Sequence, residues 1–133
     1  MKTFPTEDMQ MTNILVVKDL KNSVEFYRDV LGATLFREYG GTSAVFDFLG
    51  NWLLLVTSGG PTNDKPYVNF EPLADENRIS QAFTIRVKDC QGSYETLKSR
   101  GAKFLTPPYQ WDYETRCFFR DPDSYLWEIS EVL

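Results

Sequence analysis

The sequence predicts an α+β fold assembled from two copies of one βαβββ unit, and three observations predict it. The chain repeats itself: Val17-Lys18-Asp19 recurs as Val87-Lys88-Asp89, and Ser23 and Glu25 recur as Ser93 and Glu95, each 70 positions on. Leu31-Gly32-Ala33 then matches Arg100-Gly101-Ala102 at a separation of 69, so one residue has dropped out between. Each copy opens on an apolar, strand-like run. Each then changes to helical spacing before returning to short strand-like segments.

In the first copy Thr12 to Val17 (TNILVV) is apolar and β-branched, the composition of a buried strand. Asp19 is placed to cap a helix. Leu20, Val24, Tyr27 and Leu31 follow at steps of four, three and four, which is one helical face. Gly32 supplies the left-handed stop. Strands are predicted over 34–38, 43–48 and 52–57, separated by Gly40-Gly41 and Gly50-Asn51.

The second copy repeats the order. A strand is predicted over 82–87, and Asp89 or a neighbour caps a helix carrying Tyr94 and Leu97 that ends at Gly101. Strands follow over 102–105, 115–120 and 125–129. Asp121-Pro122-Asp123-Ser124 has turn chemistry: Asp accepts from the backbone and Pro sets φ. The repeats thus span 12–58 and 81–131. Residues 59–80, rich in Gly, Pro, Asn and Asp, join them, either as a functional loop or as a plain surface connection.

With 133 residues, 42% apolar and 15% aromatic, the chain 1–133 reads as one domain with a full core. Its formal charge of −5, from 14 basic and 19 acidic residues, comes with no basic patch, so nucleic acid is not an expected partner. Residues 1–11 lack the apolar stretch of a secretion signal, and no run approaches a membrane span; a cytoplasmic protein is expected. Cys90 and Cys117 show neither metal nor redox spacing. Two free thiols are the simplest reading, with a disulfide left open.

Histidine is absent from the chain. This excludes Ser-His-Asp and Cys-His catalysis. The paired glycines fit no phosphate-binding loop.

The segments VVKDLKNSVEFYRDVLGA, VKDCQGSYETLKSRGAKFLTPP and FFRDPDSYLWEI together resemble the glyoxalase/bleomycin-resistance/extradiol-dioxygenase superfamily, the vicinal oxygen chelate proteins. The resemblance covers about residues 12–131. It implies two modules whose curved mixed sheets form a cup with helices outside, and commonly a homodimer whose interface builds the pockets. Metal-dependent members draw ligands from the start of each module's first strand and from its last strand. Those positions correspond here to Thr12, Ala82, Leu55 and Glu128. Leu and Ala carry no donor atom, and a Thr hydroxyl is a weak ligand for a transition metal. A catalytic zinc or iron site needs about three protein ligands. The expectation is therefore no metal and no cofactor; a displaced oxygen site built on Glu128 and Asp47 is the alternative.

If Thr12 and Ala82 face the cup, strand alternation places Ile14, Val16, Thr84 and Arg86 there too. If Leu55 and Glu128 face it, so do Leu53, Thr57, Leu126 and Ser130. Trp127, Ile129, Phe83 and Ile85 then lie under the helices, and Trp52 reads as core. The resemblance adds Arg116, Phe118 and Arg120 to the cup lining. Glu128 is either a ligand contact and proton carrier or a residue satisfied by an ion pair with Arg86 or Arg116. Tyr109, Trp111 and Tyr113, in PPYQWDY, either stack on a planar ligand or pack an edge or dimer contact.

Three functions follow from this set. The first is a metal-free binding protein of the bleomycin-resistance type, sequestering a small, partly planar molecule and so protecting against a toxin. The second is a metal-free enzyme with Glu128 as base and Arg86 or Arg116 steadying an anion. The third is a lyase, isomerase or dioxygenase with relocated metal ligands. The expected ligand contacts are Arg86, Arg116, Phe118, Glu128, Tyr109, Trp111, Tyr113, Leu55 and Thr12.

Overall fold

The computed structural model describes residues 3–133. The chain runs β1 (Thr12–Val17), α1 (Leu20–Glu25) continuing into a π-helical turn (Phe26–Val30), β2 (Thr34–Tyr39), β3 (Ser43–Phe48) and β4 (Asn51–Thr57). The second module follows as β5 (Phe83–Arg86), α2 (Cys90–Ser99), β6 (Lys103–Phe104), β7 (Tyr109–Gln110), β8 (Glu114–Arg120) and β9 (Leu126–Val132). The expected α+β fold of the glyoxalase/bleomycin-resistance type is what forms. One sheet has the order β1-β4-β3-β2 and the other β5-β9-β8-β6, with β7 also on β8. In each, the module's first strand runs parallel to its last.

The helix signals act as their chemistry demands. Asp19 accepts from the Asn22 N–H at 3.1 Å and Asp89 from the Gly92 N–H at 2.9 Å, so both N-caps sit one repeat apart. Gly32 ends the first helix at φ +75° and Gly101 follows the second at φ +101°. The second module departs from the first where β2 would be repeated. Its counterpart is split into β6 and β7, because Pro107 and Pro108 between them bring no N–H to the ladder.

Both helix-covered sheet faces feed one core. Leu15, Val17, Phe46, Leu53 and Leu55 from the first sheet pack in one cluster with Cys117, Phe119, Trp127 and Ile129 from the second. Tyr27 is the hinge of this cluster, with its ring 6.1 Å from Phe46 and 5.9 Å from Trp127. The other face of each sheet is left on the surface, where Ile14 and Phe36 are 47% and 60% exposed. Among the described residues no hydrogen bond, ion pair or ring contact joins the two free faces.

Register overturns part of the expected lining. Leu55 pairs with Leu15 and Leu53 with Asn13, so both lie on the helix side, and Leu55 is 0% exposed. Thr12 pairs instead with Trp52, and Ile14 with Leu54. Leu55 is therefore a core residue and Trp52 a free-face residue. Thr84 pairs with Glu128, and Thr84 repeats Ile14, so the repeat partner of Glu128 is Leu54. A one-residue offset exchanges the faces of a strand completely.

Candidate functional site

Alternation in the second sheet follows the expectation. Thr84 and Arg86 on β5 stand opposite Glu128 and Ser130 on β9, and these stand opposite Phe118 and Arg116 on β8. Tyr109 on β7 continues the row beyond Arg116. Trp127 and Ile129, one step out of phase, are buried under the helices. Alternation along each strand, set in register across β5, β9 and β8, thus brings Arg86, Arg116, Phe118 and Glu128 onto one surface.

Glu128 is 8% exposed and accepts from the Thr84 hydroxyl at 2.8 Å. Arg116 Nε lies 3.8 Å from its second oxygen, at the outer limit of an ion pair. The Arg116 guanidinium sits 5.2 Å from the Trp111 ring centroid and 5.9 Å from that of Phe118. Those rings give a planar cation two faces to stack on. Tyr109 and Trp111 lie 4.8 Å apart and, with Tyr113, Glu114 and Arg116, line a recess of about 520 Å³. Tyr109, Trp111 and Tyr113 all keep half or more of their surface exposed. They form an open aromatic rim rather than edge packing within this chain.

Arg86 is not paired with Glu128. Its Nη1 donates to Ser130 at 2.7 Å and to Glu114 at 3.2 Å. Arg116 Nη1 also donates to Glu114, at 3.0 Å. Glu114 was not among the expected site residues, yet it binds both arginines and the Ser130 hydroxyl. The Ser130 hydroxyl and the two guanidinium groups hold its carboxyl below the usual carboxylate range. The signal was present: Glu114 lies two residues before Arg116, on the same face, in a strand starting one residue earlier than predicted. Arg120 takes no part in this cluster. It anchors the connecting loop, donating to the Glu76 carbonyl at 2.8 Å and the Ser124 carbonyl at 3.1 Å.

Thr12 lies on the free face of the other sheet, beside Trp52. Asp47 pairs with Trp52 and shares that face, so it does not join Glu128. The free face there also carries Phe36, whose ring is 5.4 Å from that of Trp52. Among the described residues no three His, Cys, Asp or Glu side chains converge to hold a metal ion. Thr12, Ala82 and Glu128 supply one strong donor, and their donor set does not fit a zinc or iron centre.

This pairing of modules, with a half-open cup on the last strand of the second, is a superfamily's architecture, and comparison with known proteins agrees. Residues 9–129 match the model of the Glyoxalase/Bleomycin resistance protein/Dioxygenase superfamily, and the chain belongs to that superfamily. It is similar to the uncharacterized protein YraH of Bacillus subtilis, 30% identical over 123 residues, covering 90% of this chain and 94% of that one. It is also similar to metallothiol transferase FosB of Lysinibacillus sphaericus, 31% identical over 115 residues, covering 85% and 74%. Among solved structures, TioX from Micromonospora sp. ML1 superposes with a TM-score of 0.70 at 20% identity, covering 94% and 99%. The fosfomycin resistance protein FosX from Listeria monocytogenes does so at 0.67 and 15%, covering 98% and 96%. These structural likenesses carry the fold alone. No described helix is long and apolar enough to cross a membrane.

Proposed function

We propose that the protein is a small-molecule-binding protein of the bleomycin-resistance type that works without a metal or cofactor. It sequesters a small, partly planar ligand on the free face of the second sheet, against Tyr109, Trp111 and Phe118 and beside Arg116 and Glu128. The observation that carries this reading is the pairing of an aromatic-rimmed recess with a depleted ligand set. Rings and hydrogen-bonding groups converge there, as in small-molecule pockets. The family's metal positions hold Thr12, Ala82 and one acid.

The half-cup also argues for a homodimer. Each free face is open, and the first sheet's carries exposed Ile14 and Phe36. A second copy would lay that apolar face over the recess and enclose the ligand, placing Thr12 and Trp52 opposite Glu128 of its mate. Light scattering after gel filtration is expected to give twice the mass of 15.4 kDa.

A thermal-shift screen of planar antibiotics and aromatic metabolites tests the binding role. Stabilisation by a subset, unaffected by a chelator, is the expected result, and silence across a broad screen would count against it. Stoichiometric, tightly held metal in untagged protein would overturn the metal-free part.

One observation favours a second reading. Glu128 is enclosed and held by a hydroxyl, the setting of a proton-transfer group, and a similar relative bears an enzyme's name, metallothiol transferase. If a bound compound is turned over, and Glu128→Gln stops turnover while leaving affinity intact, the enzyme reading replaces the first. Relocated metal ligands would have to come from the second copy.

A further inference from the structure

Three strands aim donors at one point on the second free face. Arg86 comes from β5, Ser130 from β9 and Arg116 from β8, and the Glu114 carboxylate sits where they meet. Its side chain is 21% exposed, less than the 36% of Arg116 and the 63% of Arg86 that hold it. The backbone beneath it is pinned, because the Trp111 N–H donates to the Glu114 carbonyl at 2.7 Å. Two guanidinium groups and a hydroxyl around one carboxylate is how proteins grip a bound acid. Here the acid belongs to the chain.

We propose that Glu114 is a built-in counter-ion that fills the anion position of the cup, so that the recess selects neutral or cationic planar ligands and rejects anionic ones. This rests on the ligand-cup reading above and names the ligand class it takes. Arg86 and Arg116 are met on this face by Glu114 and Glu128, and Asp112 in the recess lining adds a third acid. An incoming carboxylate must either displace Glu114 from Arg86, Arg116 and Ser130 or sit against it unpaired. A neutral or cationic ring meets neither cost and still stacks on Trp111 and Tyr109. Glu114 stays ionised through neutral pH, since its partners favour the charged form.

The test is a calorimetric titration with two probes of one shape, 1-naphthamide and 1-naphthoate. Wild-type protein is expected to bind the amide at least about tenfold more tightly than the acid, the scale of one charge-assisted contact. Glu114→Gln is expected to reverse that order; Glu114→Asp, which keeps the charge, retains it. A wild-type preference for naphthoate would overturn the proposal, as would an unchanged ratio in folded Glu114→Gln protein. If that variant does not fold, Arg86→Gln substitutes for it. Removing one positive charge should move the ratio further towards the amide, and no movement is again a refutation. Binding of neither probe to wild type would sink the ligand cup and this inference with it. Binding of both without preference would sink the role of Glu114 alone.

Discussion

The Tyr27 hydroxyl donates to the Asp121 carboxylate at 2.6 Å, joining the first module's helix to the β8–β9 turn of the second. The bond is part of a buried polar knot between modules. Trp127 Nε1 donates to the Tyr27 hydroxyl at 3.2 Å. The Asp121 carboxylate also accepts from the Asp123 and Tyr125 N–H groups at 2.9 and 2.8 Å, as the turn reading expected. Asp123 accepts from the Lys18 N–H at 2.9 Å and the Ser23 hydroxyl at 3.3 Å.

Burial raises the Asp121 pKa to about 6, and neighbouring Asp123 adds to the effect against the bonds from Tyr27 and the turn. Its unfolded value is 3.8. Between those values the folded state binds more protons than the unfolded one, so Asp121 makes stability fall as pH rises through this window. The loss approaches about 3 kcal/mol above pH 6. Urea unfolding of Asp121→Asn is expected to show a flatter pH dependence from about 4 to 6 than wild type. Tyr27→Phe should steepen it, since it removes a donor to the charged form. It should also cost about 2 kcal/mol at pH 7, because the Trp127 N–H loses its buried acceptor.

Leu55 and Thr12 were expected to share a surface and do not. Leu55→Ala should destabilise the fold by about 2–5 kcal/mol, as truncation of a filled core site does. Thr12→Ala should change stability by less than about 0.5 kcal/mol. Equal, small effects in chemical denaturation would contradict the register of β1 on β4.

The two thiols are expected to be inert in the folded protein. Cys90 and Cys117 are buried, and burial, with Cys90 beside it, pushes the Cys117 pKa up to about 12. The thiolate is the reactive form, so native protein should not react with an aromatic disulfide reagent within minutes, while denatured protein should release two equivalents. Rapid labelling of native protein would show that α2 opens from β8.

Gly32 tests the hinge between helix and β2. Its φ of +75° is left-handed, and an added Cβ would meet nothing closer than Arg100 Nη1 at 3.8 Å. Gly32→Ala should therefore cost about 1–2 kcal/mol through backbone conformation alone, seen as a lower melting temperature with unchanged ligand binding.

Arg116 and Phe118 came to the cup from the family resemblance, whereas the module repeat, both helices with their Asp caps and glycine stops, and the alternation that puts Thr84 and Arg86 on one face with Glu128 and Ser130 were legible in the residues. These features rest on local chemistry: alternation of two, spacing of 3.6, a carboxylate before a helix. The first sheet's lining was not legible, because matching β4 to β9 by their turns is uncertain by one residue, and one residue exchanges Leu54 for Leu55. Glu114 stayed hidden because a strand end is marked by pairing, here with Val132, rather than by its own composition. The sequence by itself determined the superfamily's double βαβββ architecture and the absence of histidine from the chain. Only the tertiary structure decided that the two helix faces share a core and turn their cups outward, and that Arg86 reaches Glu114 instead of Glu128. Side-chain partners across three strands depend on register and reach, which no local pattern encodes.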